Sequence, residues 1–151
     1  MSNGIILGNK IIDVVLIALV VAQSLKFIIY LITEKKVDFR RFLDTGNMPS
    51  SHTASVVALA TAVGLSEGFR STLFTISLVF AVVVMYDATG VRRAAGKQAQ
   101  LLNKIVENIK KKEGHSLLEE NLKELIGHTP MEVFWGAILG IVIAILFVKF
   151  L

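Results

Sequence analysis

Residues 127–151 read GHTPMEVFWGAILGIVIAILFVKFL. From Val133 to Val148 there is no charged side chain. Such a run belongs in a bilayer core, where a helical crossing takes roughly 20 residues, fewer where its ends are amphipathic. The residues ahead of the run mark where the helix begins. Thr129 and Glu132 have the spacing of a capping box, and Pro130 falls at the first helical position, where its missing N–H costs nothing. His128 stands just before that start. Backbone N–H groups there lack helical partners and the helix dipole is positive, so a phosphate can bind.

A second segment repeats the design. Residues 46–65, GNMPSSHTASVVALATAVGL, again place a Pro- and Ser-bearing polar motif and a histidine, His52, before an apolar run. Thr53–Leu65 is short and rich in Ala, Ser, Thr and Gly. Small side chains let helices approach closely, so it reads as an inner helix packed by its neighbours. Ile11–Ile32 is apolar apart from Asp13, Gln23, Ser24 and Lys26, and Ser71–Tyr86 is apolar or hydroxylic throughout. The expectation is an all-α integral membrane bundle in a single domain spanning residues 1–151. Its spans are near 11–32, 53–65, 71–89 and 131–150, with a cytoplasmic helical segment near 91–126.

Composition agrees. At 54% hydrophobic residues and a mean hydropathy of +0.66, the chain is too apolar for an ordinary soluble domain. A cleaved signal peptide is a competing reading of the first span, but its leading region carries only Lys10 and Asp13 interrupts the apolar stretch. A soluble four-helix bundle competes with the whole reading, and the uncharged last run argues against it. The absence of cysteine excludes disulfides and thiolate metal sites.

Four spans sort the polar segments onto two sides. One side holds Lys10, Arg70 and Lys149. The other holds Lys35, Lys36, Arg40, Arg41, Arg92, Arg93, Lys97, Lys104, Lys110, Lys111, Lys112 and Lys123. The positive-inside rule makes the second side cytoplasmic, and both histidine motifs lie on it. Trp135 and Lys149 suit the two interfaces. In the segment after Arg92, Ala95, Ala99, Leu102, Val106 and Ile109 recur at helical spacing, and Lys110–Lys112 close that helix. Gly114 breaks it. Ser116-Leu117-Leu118-Glu119 then opens a second short helix as a capping box. This hairpin either packs beneath the bundle or lays its basic surface on anionic headgroups. Gly136 and Gly140 form a small-xxx-small pair that permits close helix contact within the chain or in a homo-oligomer.

Each candidate residue has a structural alternative. The cap explains Thr129, Pro130 and Glu132 but requires no histidine, whereas a carboxylate beside an imidazole fixes its tautomer and supports its charge. Ser50 and Ser51 open a helix, and their hydroxyls with the first N–H groups also make a phosphate cradle beside His52. Arg92 and Arg93 anchor a span end, and guanidinium also pairs bidentately with phosphate. Lys26 and Asp87 interrupt apolar spans. Intramembrane charges are costly, face the bundle interior and are often functional, so the two pair with each other or Lys26 reaches the site. His115 reads as a solvated loop residue. The histidine spacing provides no metal site, no Gly-rich nucleotide loop is present, and the juxtamembrane basic residues do not point to nucleic acid.

The stretches GNMPSSHTASVVAL, VMYDATGVRRAAGKQAQLLN and LKELIGHTPMEVFWGAILG resemble the divergent PAP2 membrane proteins. These are distant relatives of type 2 phosphatidic acid phosphatases and vanadium haloperoxidases. Pro49-Ser50-Ser51-His52 is similar to the Pro-Ser-Gly-His motif of that superfamily, with Ser51 in place of Gly. His128 and Glu132 are similar to its His…Asp element, with Glu in place of Asp. Arg92 or Arg93 stands for the arginine of the third motif, and Lys26, ahead of Lys36 and Arg40, for the lysine of the first.

The resemblance implies a membrane phosphohydrolase that needs no cofactor. His128 would be the nucleophile, oriented by Glu132, and His52 the acid and base. Lys26, Ser50, Ser51, Arg92 and Arg93 would bind phosphate. The expected substrate is a lipid or isoprenoid phosphate or diphosphate, met at the cytoplasmic face of a plasma membrane of bacterial type. A non-catalytic protein of the same fold that binds phosphorylated lipid or a protein partner is the alternative, and a vanadate-dependent peroxidase a distant third.

Overall fold

The structure is a computed structural model and describes residues 4–35, 48–113, 122 and 127–150. Among the described residues there are five helices and no strand: α1 (Lys10–Glu34), α2 (Ser51–Glu67), α3 (Thr72–Thr89), α4 (Val91–Glu113) and α5 (Pro130–Phe150). The expected helical membrane bundle is present. α1, α5 and the α3 run are long and apolar enough to cross a bilayer.

α2 is the hub. It packs against α1, α3 and α5, whereas α4 packs only against α3 among the described helices. At 17 residues, α2 spans about 26 Å, short of a full hydrocarbon thickness. Its small side chains explain its place. Ala58 and Ala62 meet Val14 and Ala18 of α1 and Ile143 and Ala144 of α5. Val57 and Ala60 meet Ala81 of α3. Lipid tails are as apolar as these side chains, so close packing rather than transfer from water holds such helices together.

Gly136 and Gly140 form the α5 side of that seam. A Cβ on Gly136 would stand 2.6 Å from the Ser50 carbonyl oxygen, and one on Gly140 would run into the Ala54 carbonyl. The small-xxx-small pair is therefore used within the chain.

At the far end of the bundle, the α2–α3 turn is closed by an edge-to-face pair of Phe69 and Phe74, with centroids 5.1 Å apart. Asp13 lies at the same end, fully buried, and accepts backbone N–H bonds from Ile6 and Leu7, each at 2.9 Å. The charge that interrupts the first apolar run thus ties down the chain entering α1. Asn9 caps that helix with bonds to the N–H groups of Ile11 and Ile12.

At the near end lie the last turns of α1 and α3 and the first turns of α2 and α5. The predicted loop basic residues Lys36, Arg40 and Arg41, the Gly114 break, His115 and the capping box at Ser116 lie outside the described residues. α4 ends with Lys110–Lys112 in its last turn, as the sequence pattern indicates.

Candidate functional site

α2 and α5 begin side by side. The Ser50 N–H donates to the Glu132 carbonyl at 3.0 Å. The buried Ser50 hydroxyl caps α2, accepting from the Thr53 N–H at 3.3 Å and from the Thr53 hydroxyl at 3.0 Å. Ser51 is buried beneath the same turn. These contacts fix the two histidine-bearing helix starts relative to each other.

His128 is held by backbone and side chain together. Its N–H donates to the Ala88 carbonyl of α3 at 2.9 Å, and its ring is almost wholly buried. Gly127 makes this approach possible. Its φ is +95°, and a Cβ would collide with the backbone of Arg92 and Arg93. Nδ1 of His128 lies 2.8 Å from Glu132 Oε2. A carboxylate can only accept, so Nδ1 carries the proton, and in the neutral ring Nε2 keeps its lone pair.

The capping box forms as well. The Glu132 N–H donates to Thr129 Oγ1 at 3.3 Å, and the Thr129 N–H reaches Glu132 Oε2 at 3.4 Å. The two roles weighed for Glu132 therefore share one oxygen, with the shorter bond going to the imidazole.

His52 and His128 line one cavity of about 220 Å³, together with Arg92, Asp87, Gly127, Val83, Val84 and Ala88. A water takes about 30 Å³ of liquid volume, so there is room for a phosphoryl group. Arg92 donates through Nε to Asp87 Oδ2, and its terminal nitrogens carry the rest of its donors. Asp87 is thus the ion partner of Arg92. Arg93, the other candidate, is absent from the cavity wall, and its backbone supports Gly127. Lys26 is buried in α1 and, like Arg93, is not among the residues that line the cavity.

The cavity wall also contains residues that motif reading does not single out. Val83, Val84 and Ala88 come from α3, whose outward face is apolar and exposed at Val79, Phe80, Val82 and Val83. One side of the cavity therefore adjoins the lipid-facing surface of that helix.

Buried imidazole on carboxylate, a second imidazole and a guanidinium are gathered at one end of a helical membrane bundle, and the cavity they line is the candidate site. The family model described as the Divergent PAP2 family matches residues 7–143, and the chain belongs to that family. It is 42% identical over 144 residues to the uncharacterized membrane protein YuiD of Bacillus subtilis, covering 89% of this chain and 91% of that protein. No solved structure matches the chain.

Proposed function

We propose that the chain is a membrane phosphohydrolase that removes phosphate from a lipid or isoprenoid phosphate or diphosphate through a phosphohistidine intermediate. The observation that carries this reading is the His128–Glu132 pair, buried and sharing a cavity with His52 and Arg92. Nε2 of His128 attacks phosphorus, and the bond from phosphorus to the leaving oxygen breaks. His52 gives that oxygen a proton. The imidazolium character that His128 acquires is supported by Glu132. Water then attacks the phosphohistidine, His52 takes its proton, the P–N bond breaks, and inorganic phosphate leaves.

Arg92 offsets charge on the phosphoryl oxygens, Lys26, outside the cavity wall, adds positive potential at longer range, and the start of α2 contributes its dipole. Asp87 holds the Arg92 guanidinium through Nε, which leaves the terminal nitrogens for the anion. Val83, Val84 and the lipid-facing side of α3 supply an apolar path for the substrate's tail, which favours a lipid over a soluble phosphate ester. The expected orientation puts the site at the cytoplasmic face.

The test is phosphate release from a panel of lipid phosphates and diphosphates by purified, reconstituted protein, with His128→Ala and His52→Ala as controls. Release abolished in the first variant and lowered about 10²- to 10⁴-fold in the second supports the reading. Equal release by all three proteins removes the site assignment, and no release from any substrate favours a binding protein.

A further inference from the structure

α4 has an apolar stripe that no other described residue covers. The helix is two-sided. Its inward side carries Gly96, Ala99, Asn103, Val106 and Ile109. There the Asn103 amide clasps the Leu122 backbone, donating to its carbonyl at 2.9 Å and accepting its N–H at 3.0 Å. The other apolar residues point away. Leu101, Leu102 and Ile105 are 61%, 48% and 45% exposed. Lys97, Lys104 and Lys111 recur at seven-residue steps, two helical turns, and so form a row beside Leu101 and Ile105. The lysines in this row are exposed.

We propose that this face of α4 lies on the headgroups of anionic lipids in the membrane that the bundle spans, with Leu101 and Ile105 entering the interface and Lys97 and Lys104 pairing with lipid phosphates. Two observations select this occupant. α4 follows α3 after only Gly90, whose φ of −100° and ψ of −91° depart from helical values, so α4 begins where the α3 span ends, next to the bilayer surface. Charge then decides between partners. α4 carries seven basic residues against two acidic ones, and one of the acids, Glu107, is already paired with Lys111 at 2.7 Å. A second copy docking on the same face would set lysines against lysines, whereas an anionic bilayer complements them. The inference does not depend on the phosphohydrolase reading.

The chain has no cysteine, so single spin labels can be placed at Leu101→Cys and Lys104→Cys in the full-length protein. The measurement is accessibility to oxygen and to an aqueous nickel chelate, in bilayers of phosphatidylcholine alone and of phosphatidylcholine with phosphatidylglycerol. In the anionic bilayer the label at 101 should favour oxygen and the label at 104 nickel. The preference at 101 should fall in phosphatidylcholine alone and at high salt. Adding Lys97→Gln and Lys104→Gln to the 101-labelled protein should weaken surface binding about 25-fold, at roughly fivefold per lysine, and the preference at 101 with it. Both sites are exposed, so labelling leaves the packing intact, and unchanged helicity by circular dichroism verifies this for the charge variant. Nickel access at 101 that is equal in both bilayers overturns the proposal. So does protection at 101 in detergent without anionic lipid, or dipolar coupling between labels on two copies.

Discussion

Glu132 binds two groups through one carboxylate oxygen, and they differ in what they need from it. The Thr129 backbone needs any acceptor at that place, whereas His128 needs a negative charge to fix its Nδ1 proton and support a cationic ring. The two needs separate by substitution. Glu132→Gln keeps a carbonyl acceptor and should lower the rate of phosphate release by about 10²-fold or more, with little change in thermal unfolding. Thr129→Ala should cost about 1 kcal/mol of stability, the ordinary value of a cap, and leave release nearly intact. Phosphate assays paired with unfolding curves on both variants check this. Both histidines were legible because each stands in a short polar motif ahead of an apolar run. The choice between Arg92 and Arg93 was not, because it turns on the helical phase after Gly90. Nor was the Asp87–Arg92 pair legible, since it joins residues five apart across that break. The oxygen shared by cap and imidazole was hidden too, because it depends on the Glu132 side-chain rotamer.

At the scale of elements, the bundle depends on how closely α5 approaches α2. Gly136 and Gly140 admit the Ser50 and Ala54 carbonyls of α2, and the same approach holds the two site-bearing helix starts together. Val at either glycine should push the helices apart and cost about 1–3 kcal/mol or more. Gly136→Val, about two turns from His128, should also lower phosphate release more than Gly140→Val does. Val142→Ala on the exposed face of α5 should do little by comparison. Thermal unfolding in one detergent, with release measured beside it, tests this ordering. α2 was legible as an inner helix from its Ala, Ser, Thr and Gly content, and its burial follows from that content. The partner of the two glycines was not legible, since a small-xxx-small pair has the same spacing whether it meets its own chain or another. The role of Asp13 also escaped, because its partners are the backbone N–H groups of Ile6 and Leu7, which no side-chain pattern marks.

At the scale of the whole molecule, the ends of α1 and α3 and the starts of α2 and α5 share one end of the bundle, and that end holds the cavity. The proposed orientation, taken from the positive-inside rule, turns this end toward the cytoplasm. Cysteines introduced at Glu67 and at Lys104 should report opposite sides in whole cells. A membrane-impermeant maleimide should label the first directly and the second only after permeabilisation; the reverse pattern would invert the orientation. The order of the apolar runs made the shared end legible, and charge asymmetry gives the expected orientation. The apolar α3 wall of the cavity was hidden, because residues facing lipid and residues facing a substrate tail are the same residue types.

The central claim is a covalent phosphoryl group on His128. The direct measurement is rapid acid-free quenching of reconstituted protein turning over a radiolabelled lipid phosphate, followed by peptide mapping. The predicted result is alkali-stable, acid-labile label on the peptide carrying His128, absent from His128→Ala and more abundant in His52→Ala if hydrolysis of the intermediate is slowed most. Sustained phosphate release with no label on His128, or release that survives His128→Ala, would contradict it.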